Sequence, residues 1–457
     1  MSFDVQFLGA ARQVTGSLYR IDTGRSQILL ECGLVQGSRE AEAQNAAEFP
    51  FAVEDIDAVV LSHAHIDHSG RVPLLVRRGY TGPVYAQTAT RALCEIMLPD
   101  SGYLNEKDAE WENRRRATRN GGPVQPLYTR EDAERSLSQF EPVAYDTEVR
   151  VTDDLTLRYH DAGHILGSAI VELSDGGRTL AFSGDLGYRD APVMNPAARL
   201  TDADAVLMES TYGDRLHRPV DATLEELGGV FAAARAANGN ILIPAFTVGR
   251  TQDLLYLLAR HREEWGLDHW RIVLDSPMGI EATGVYARHR DLYGAELFGP
   301  KSRLPALPNV EATQSTAESM RLNDVRSGAI IIAGSGMCTG GRIMHHLKNN
   351  VWRPECHIVI VGYQVHGTIG RRLVDGSDEI RLWGDNYAVR ASIHTVGGLS
   401  AHADQADLVE WYSAFQSRPP LYLVHGEERA QVPLKARIER ELSAPVRIPE
   451  YGETIRI

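Results

Sequence analysis

The feature that most constrains this chain is a cluster of metal-binding residue types directly behind a predicted strand. The run 57–62 is short and apolar, which is typical of a buried strand. The next six residues carry three imidazoles and one carboxylate, those of His63, His65, Asp67 and His68. Loops at strand ends are where open α/β architectures place their chemistry. The sequence therefore predicts a functional site at the end of this strand.

The residue types of this cluster indicate a transition metal. Imidazole nitrogens and carboxylate oxygens suit Zn²⁺, with Mn²⁺ and iron as competitors. The alternation of His63 and His65 can direct both rings to one metal, whereas Asp67 and His68 would face a neighbouring position. The spacing therefore favours two metals over one.

Later predicted strands also end in side chains that can bind metal or carry protons. His164 follows one such strand, although alone it is as readily an ordinary loop histidine as a ligand. Asp185, between two glycines, can bridge two cations, and Glu209 ends the next strand. Clustered carboxylates cost free energy unless they are paired or metal-bound, so packing alone does not explain them. His402 and His425 follow strands near the end of the chain and are further candidates for ligands or proton carriers.

The pattern changes near residue 213 and indicates a second domain. A chain of 457 residues exceeds what one hydrophobic core usually organises. Strand and helix patterns alternate here, which predicts βαβ units and a parallel sheet. The predicted elements are helix 223–237, strand 240–244, helix 251–261, strand 271–275 and helix 279–290.

A glycine-rich segment in this second region is a candidate phosphate site, with a simple tight turn as the alternative. A turn before a helix N-terminus presents N–H groups and a positive dipole end to an anion. The segment lacks the Lys-Ser/Thr pair of a nucleoside triphosphate loop. Arg371 and Arg372 follow a second glycine and could grip phosphate oxygens. The candidate residues of the first segment are Ser335, Gly336, Thr339, Gly340 and Arg342.

Net charge constrains the choice of partner. The formal charge is −14, which argues against binding nucleic acid through a broad basic surface. Two divalent ions would add positive charge that this count omits. One local exception is a basic cluster in a polar, helix-like segment between residues 100 and 119, where a solvated face is favoured over substrate contact. Its members are Arg114, Arg115, Arg116 and Arg119.

The remaining composition predicts a cytoplasmic protein with no membrane partner. No segment has the length of a membrane span, and the first residues do not form an export signal. The cysteines are scattered without a C-x-x-C pair, which favours reduced, buried thiols over disulfides. They are Cys32, Cys94, Cys338 and Cys356.

Taken together, these motifs resemble the metallo-β-lactamase superfamily and, within it, the β-CASP nucleases. The resemblance covers nearly the whole chain. It implies an α/β fold in which an αββα sandwich, formed by 1–212 and 383–457, is interrupted by an inserted β-CASP domain at 213–382. The motifs that carry it are His63-x-His65-x-Asp67-His68, Glu209, Ser400-Ala401-His402 and His425-Gly426-Glu427.

The resemblance also implies a ligand set of two zinc ions. The first ion would take His63, His65 and His164, and the second Asp67, His68 and His425, with Asp185 bridging them. Asp67 would orient the attacking water, and His402, positioned by Glu209, would protonate the leaving oxygen. Glu31 stands where the family usually has an aspartate that supports the metal ligands.

The implied function is a zinc-dependent ribonuclease, with manganese as a second possible metal. Its substrate would be single-stranded RNA held in the cleft between the domains and cut mainly internally, with 5′–3′ exonuclease activity as a further mode. RNA is favoured over DNA because His425 stands where DNA-repair relatives carry a small apolar residue. A homodimer is implied by resemblance only.

Two alternatives stay open at this point. An ester or thioester hydrolase of the same superfamily would not need Arg371, Arg372 or so large a second domain. A non-catalytic scaffold of a processing complex is disfavoured because all seven expected ligands are present.

Overall fold

The structure is a computed structural model that describes residues 3–117, 122–294, 310–362 and 364–457. Arg119, part of the basic cluster noted above, lies outside the described residues. The chain divides into two compact units. The first comprises Met1–Arg189, Pro196–Leu216 and His402–Ile457, and the second comprises Asp190–Asn195 and His217–Ala401.

The described residues form 22 strands. In chain order they are β1 (Asp4–Phe7), β2 (Tyr19–Asp22), β3 (Gln27–Leu30), β4 (Ala58–Val60), β5 (Val84–Gln87), β6 (Phe140–Val143), β7 (Val149–Arg150), β8 (Thr156–Asp161), β9 (Ala169–Ser174), β10 (Thr179–Phe182), β11 (Ala205–Glu209), β12 (Ile241–Pro244), β13 (Arg271–Leu274), β14 (Val310–Ala312), β15 (Ala329–Ala333), β16 (His357–Ile360), β17 (Glu379–Leu382), β18 (Asp385–Ala388), β19 (Ser392–Thr395), β20 (Leu421–Val424), β21 (Val446–Arg447) and β22 (Thr454–Arg456).

The described residues also form 13 α-helices. They are α1 (Arg39–Glu42), α2 (Ile66–Ser69), α3 (Val72–Arg77), α4 (Thr88–Ala117), α5 (Arg130–Ser136), α6 (Val220–Ala237), α7 (Arg250–Arg260), α8 (Pro277–Arg288), α9 (Thr316–Arg321), α10 (Ile343–Asn350), α11 (Ile369–Val374), α12 (Gln405–Ser413) and α13 (Glu428–Leu442).

Two seven-stranded sheets form the first unit. Their orders are β22-β1-β2-β3-β4-β5-β6 and β21-β20-β11-β10-β9-β8-β7. Alternate residues of each sheet point inward, so that Val5 and Phe7 of one share a core with Leu157 and Tyr159 of the other. Helices α12 and α13 cover the outer face of the second sheet, and α4 packs on β5 and β6 of the first. The expected αββα sandwich is therefore confirmed. Strands β1, β2 and β3 pair in antiparallel fashion.

The second unit contains a six-stranded sheet of order β14-β13-β15-β12-β16-β19, in which every pair is parallel. Its central strands β12, β15 and β16 are buried along their whole length because helices pack on both faces of the sheet. Leu254 and Leu258 of α7 lie in the core on one face, and Ile343 and Leu347 of α10 lie in the core on the other. The βαβ alternation predicted from the sequence is confirmed.

The division between the units differs from the expected boundary at 382/383. The second unit continues to Ala401 because β19 pairs in parallel with β16. Residues between β18 and β19 leave the strand conformation because the N–H groups of Arg390 and Ala391 both donate to the carbonyl of Val351. These bonds turn the chain out of the β17–β18 hairpin and into the parallel sheet.

Helix α4 is one continuous element with Pro99 inside it. It begins at Thr88, before the polar, helix-like segment noted above, and continues through that segment to Ala117. All four cysteines are buried and free, as expected. In the ranges that the structure describes, no helix combines the length and apolar character that crossing a bilayer requires.

Candidate metal centre

The predicted ligands converge within the first unit because each follows a strand of its two sheets. His63 and His65 follow β4, and the short helix α2 carries Asp67 and His68. The other ligands lie after strands of the second sheet: His164 after β8, Asp185 after β10 and His425 after β20. Strands far apart in sequence thus bring their ends to one place.

One group of ligand atoms has the spacing of a tetrahedral zinc site. His65 Nδ1 lies 3.1 Å from His63 Nε2 and 3.3 Å from His164 Nε2. Asp185 Oδ2 lies 3.5 Å from His63 Nε2 and 3.6 Å from His164 Nε2. Four ligands at zinc–ligand distances of about 2.0–2.1 Å would be about 3.3–3.4 Å apart. We call these four residues cluster 1.

A second group, cluster 2, comprises Asp67, His68, His425 and the other oxygen of Asp185. His68 Nε2 lies 3.1 Å from His425 Nε2 and 3.4 Å from Asp185 Oδ1. Asp67 Oδ2 lies 3.5 Å from His425 Nε2 and 3.9 Å from His68 Nε2. Asp185 therefore presents one oxygen to each cluster.

Three rings have a hydrogen-bonding partner at Nδ1, which favours Nε2 as the nitrogen that binds metal. His63 Nδ1 lies 3.0 Å from Ser62 Oγ, and His425 Nδ1 lies 3.0 Å from Thr211 Oγ1. His68 Nδ1 lies 2.6 Å from Glu31 Oε2, so this carboxylate accepts its proton and leaves the Nε2 lone pair for a metal. Sequence reasoning found Glu31 as a supporting residue but missed Ser62 and Thr211. The only feature of the sequence that could have indicated these two hydroxyl groups is their position close to His63 and Glu209.

The ligand atoms of clusters 1 and 2 have the chemistry and environment expected for binding a cation. Asp185 is buried, and its Oδ1 has no hydrogen-bond donor. Burial opposes the charge of Asp185, but the imidazoles of His425, His68 and His63 outweigh burial and hold its pKa well below the ordinary range. Imidazole nitrogens at 3.1 Å from one another repel through their lone pairs unless a proton or a metal lies between them. The donor set of imidazole and carboxylate is that of a zinc-type site.

His402 and Glu209 lie beside cluster 1. Glu209 is buried, and its Oε1 lies 3.1 Å from His402 Nδ1 and accepts a hydrogen bond of 2.8 Å from the Leu186 N–H. Its contact with Leu186 also fixes the loop that carries Asp185. Burial disfavours a cationic His402, but the carboxylates of Glu209 and Asp185 outweigh it and raise the pKa of His402 to about 9.

Gly33 packs directly against the backbone of Asp67, a residue of cluster 2, and leaves no room for a side chain. A Cβ at this position would lie 1.5 Å from the backbone oxygen of Asp67. We expect Gly33→Ala to displace Asp67, to lower the free energy of unfolding by about 1–3 kcal/mol, and to reduce bound metal. Denaturant unfolding and metal analysis measure both effects.

Gly229→Ala is the matched control for this prediction. Gly229 lies in α6, and a methyl group added there would meet nothing within 4 Å, so alanine should leave metal content unchanged and slightly raise stability. Equal behaviour of the two variants would contradict the packing role of Gly33.

The candidate phosphate residues all lie in the second unit. Ser335 Oγ accepts hydrogen bonds from the N–H groups of Thr339 (2.9 Å) and Gly340 (3.3 Å), so the glycine-rich loop satisfies part of its own backbone. The loop contacts the start of α11 through Gly370 N–H and the Met337 carbonyl, 3.2 Å apart, and the carbonyl of Gly336 accepts from the Gln364 side chain at 3.0 Å.

The three candidate arginines each have partners within the fold. Arg342 donates to the buried Asp275 and to the carbonyls of Thr313 and Gln314, which orders the ends of β13 and β14. Arg371 pairs with Asp375 at 2.9 Å and Arg372 donates to the Glu379 carbonyl at 3.0 Å. Their phosphate roles stay predictions.

The fold and the clustered ligands define a class of protein, and family models match the same regions. Residues 11–245 match the metallo-beta-lactamase superfamily, 251–373 the Beta-Casp domain, and 386–449 the Zn-dependent metallo-hydrolase RNA specificity domain. The chain belongs to the metallo-β-lactamase superfamily, in its β-CASP branch, and is a metal-dependent hydrolase.

Individual relatives align over nearly the whole chain. Ribonuclease TTHA0252 of Thermus thermophilus is 38% identical over 454 residues, covering 98% of this chain and 99% of that protein. Transcription termination factor FttA of Methanosarcina mazei is 31% identical over 473 residues, covering 99% of this chain and 71% of that protein. A crystal structure of a protein of unknown function from Enterococcus faecalis matches with a TM-score of 0.56 at 14% identity, covering 100% of both chains, which shows the fold alone.

Proposed function

We propose that this protein is a ribonuclease that hydrolyses phosphodiester bonds of single-stranded RNA at a two-zinc centre. The observation that carries the proposal is Asp185, which presents one buried carboxylate oxygen to each of two ligand clusters. The 38% identity to a protein named a ribonuclease supports RNA as the substrate.

In this proposal the residues of cluster 1 would hold one zinc ion and those of cluster 2 the other. Asp185 would serve both, and Mn²⁺ is the competing metal. When bound, such a metal pair lowers the pKa of a water and stabilises charge on the attacking and leaving oxygens of an in-line displacement. Glu31, Ser62 and Thr211 keep the imidazoles oriented toward the metals.

Side chains of the protein then orient the attacking water and protonate the leaving oxygen. Asp67 is less buried than the histidines around it, and its carboxylate is the candidate to orient the attacking water. His402 is partly exposed and hydrogen-bonded to the buried Glu209, an arrangement that supports its role as the acid for the leaving 3′ oxygen. Glu209 acts as a positioning residue because it reaches the reacting atoms only through His402.

The finer expectations remain parts of the proposal. Internal cleavage is proposed as the main mode. The proposed phosphate contacts are Ser335, Gly336, Thr339, Gly340, Arg342, Arg371 and Arg372. The four free, buried thiols support a cytoplasmic location. A homodimer is proposed as well.

An RNA cleavage assay tests this function. Zinc-loaded protein is incubated with 5′-labelled single-stranded RNA beside DNA of the same sequence and a thioester substrate. Internal RNA fragments with intact DNA are the expected result. Intact RNA with rapid thioester hydrolysis would replace the proposal with the ester-hydrolase alternative, and no turnover of any substrate would favour the scaffold.

A further inference from the structure

Two tryptophans, a histidine and a lysine form an exposed surface on helix α10 and the β17–β18 hairpin of the second unit. His345, Lys348 and Trp352 lie within about 60° of one another around α10 and the turn after it, and all three are exposed. Trp383, in the turn of the hairpin, packs on the His345 ring at a centroid distance of 4.6 Å. Lys348 Nζ lies 5.9 Å from the centre of the same tryptophan ring. We call these four residues the α10 surface.

The inner faces of both elements are fixed in the core, so the α10 surface faces solvent. Ile343 and Leu347 of α10 are fully buried, and His346 Nε2 lies 2.6 Å from the buried carboxylate of Asp275. Ile380 and Leu382 of the hairpin lie in the same apolar core. The two tryptophans are left with exposed fractions of 46% for Trp352 and 58% for Trp383.

Trp383 is an unfavourable residue for the turn that it occupies. Trp383 and Gly384 are the two residues between β17 and β18, and their φ angles are both positive, at 49° and 101°. Two-residue hairpin turns of this kind favour Asn-Gly because a bulky side chain is strained in the left-handed conformation. The large ring is also exposed to water. A residue that costs stability in both respects is typical of a ligand contact.

The charge of this region favours a polyanion. Residues 325–354, which include α10, contain four basic and no acidic side chains, although the whole chain has a net charge of −14. The hairpin region adds acidic residues, yet 325–388 still contains seven basic and five acidic side chains, a net charge of +2. Among the residues that the structure describes, four of these seven cations have no carboxylate within 4.0 Å. They are Arg326, Lys348, Arg372 and Arg381.

We propose that the α10 surface binds single-stranded RNA, with bases stacked on Trp352 and Trp383 and a phosphate beside Lys348. Proteins that bind single strands combine aromatic platforms with cations in this way, and stacking tolerates any base. The inference rests on the proposed function, since it takes the same RNA as the ligand, and it adds a contact separate from the metal ligands. Helix α10 follows the glycine-rich loop directly, and from Arg342 to Trp352 the path is about 15 Å at 1.5 Å per residue. One strand can therefore contact both.

Variants of the hairpin turn test the stacking role. The probe is a fluorescently labelled oligouridine RNA of about 20 nucleotides, with phosphorothioate linkages that slow hydrolysis, so anisotropy reports binding to the metal-loaded full chain. Trp383→Asn removes the ring but suits the turn, so binding should weaken by about tenfold while resistance to denaturant stays equal or rises. Trp383→Phe keeps a ring and should bind close to the wild-type value. Wild-type affinity of Trp383→Asn would overturn the proposal.

The salt dependence of binding tests the phosphate contact. Lys348→Met keeps the length of the side chain and removes its charge, so the slope of log affinity against log salt should fall by about 0.7. An unchanged slope would overturn this contact. The matched control is Trp111→Ala, which removes a tryptophan of similar exposure, 52%, from the first unit and should leave RNA affinity unchanged. Equal losses from Trp111→Ala and Trp383→Asn would overturn the proposal, because they would show unspecific contact with exposed rings.

Cleavage of unmodified RNA by the same proteins separates this inference from the proposed function. If the wild-type protein binds RNA through the α10 surface but does not cleave it, the proposed function fails and the binding surface stands. If the wild-type protein cleaves RNA while Trp383→Asn and Lys348→Met bind it as the wild type does, the α10 surface alone fails. A wild-type protein that does not bind single-stranded RNA would overturn both.

Discussion

Asp185→Asn is expected to cause the largest loss of function of any single substitution in this protein. The asparagine keeps the shape of the side chain, but it has one carbonyl oxygen and no charge, so it cannot serve both clusters. We expect purified protein to lose at least one of two metals and RNA cleavage to fall by about three orders of magnitude, or about 4 kcal/mol of barrier. Metal analysis and initial rates measure the two effects.

The control for this variant is Asp190→Asn. Asp190 is exposed and close in sequence, and the same change of charge there should leave metal content and rate unchanged. An Asp185→Asn protein with two bound metals and full activity would show that this carboxylate does not bridge them.

His402→Ala is expected to have the second largest effect, through proton transfer rather than metal binding. His402 lies beside cluster 1 without belonging to either ligand set, and Glu209 holds it at 3.1 Å. Removing a positioned general acid typically lowers the rate by about 10²–10⁴-fold. Cleavage of RNA should fall by this factor, while metal content should stay at the wild-type level.

A substrate with a good leaving group separates this role from a structural one. A p-nitrophenyl phosphodiester expels a stable phenolate that needs little protonation, so its hydrolysis should be much less sensitive to His402→Ala than RNA cleavage. Equal losses on both substrates, or loss of metal, would contradict the assignment of His402 as the acid.

Part of the candidate site is local in sequence and was therefore predictable. His63, His65, Asp67 and His68 lie within six residues behind an apolar run, so their proximity follows from chain connectivity. The convergence of His164, Asp185 and His425 depends on which strands pair. β11 is the parallel neighbour of β10 and also of β20, which lies far along the chain after the whole second unit, and only the resemblance to a known family indicated that their ends meet.

Other features depend on side-chain partners that no sequence pattern specifies. Glu31 replaces the usual aspartate, yet its longer side chain reaches His68 Nδ1 at 2.6 Å while also accepting the Ser62 N–H at 2.5 Å. Arg342 stays a predicted phosphate contact, and no sequence pattern indicated that the buried Asp275 binds its guanidinium. The second compact unit extends past residue 383 because β19 pairs with β16, and this pairing cannot be read from the sequence, where β19 looks like a continuation of the preceding hairpin.

The central claim is that two metals, held by clusters 1 and 2, support cleavage of RNA. The most direct measurement is a titration of chelator-treated protein with Zn²⁺, followed by metal analysis and by the rate of RNA cleavage at each step. We predict that activity rises until two equivalents are bound per chain and then levels off, and that Asp185→Asn never reaches this level. Full activity at one bound zinc, or without any, would contradict the two-metal centre.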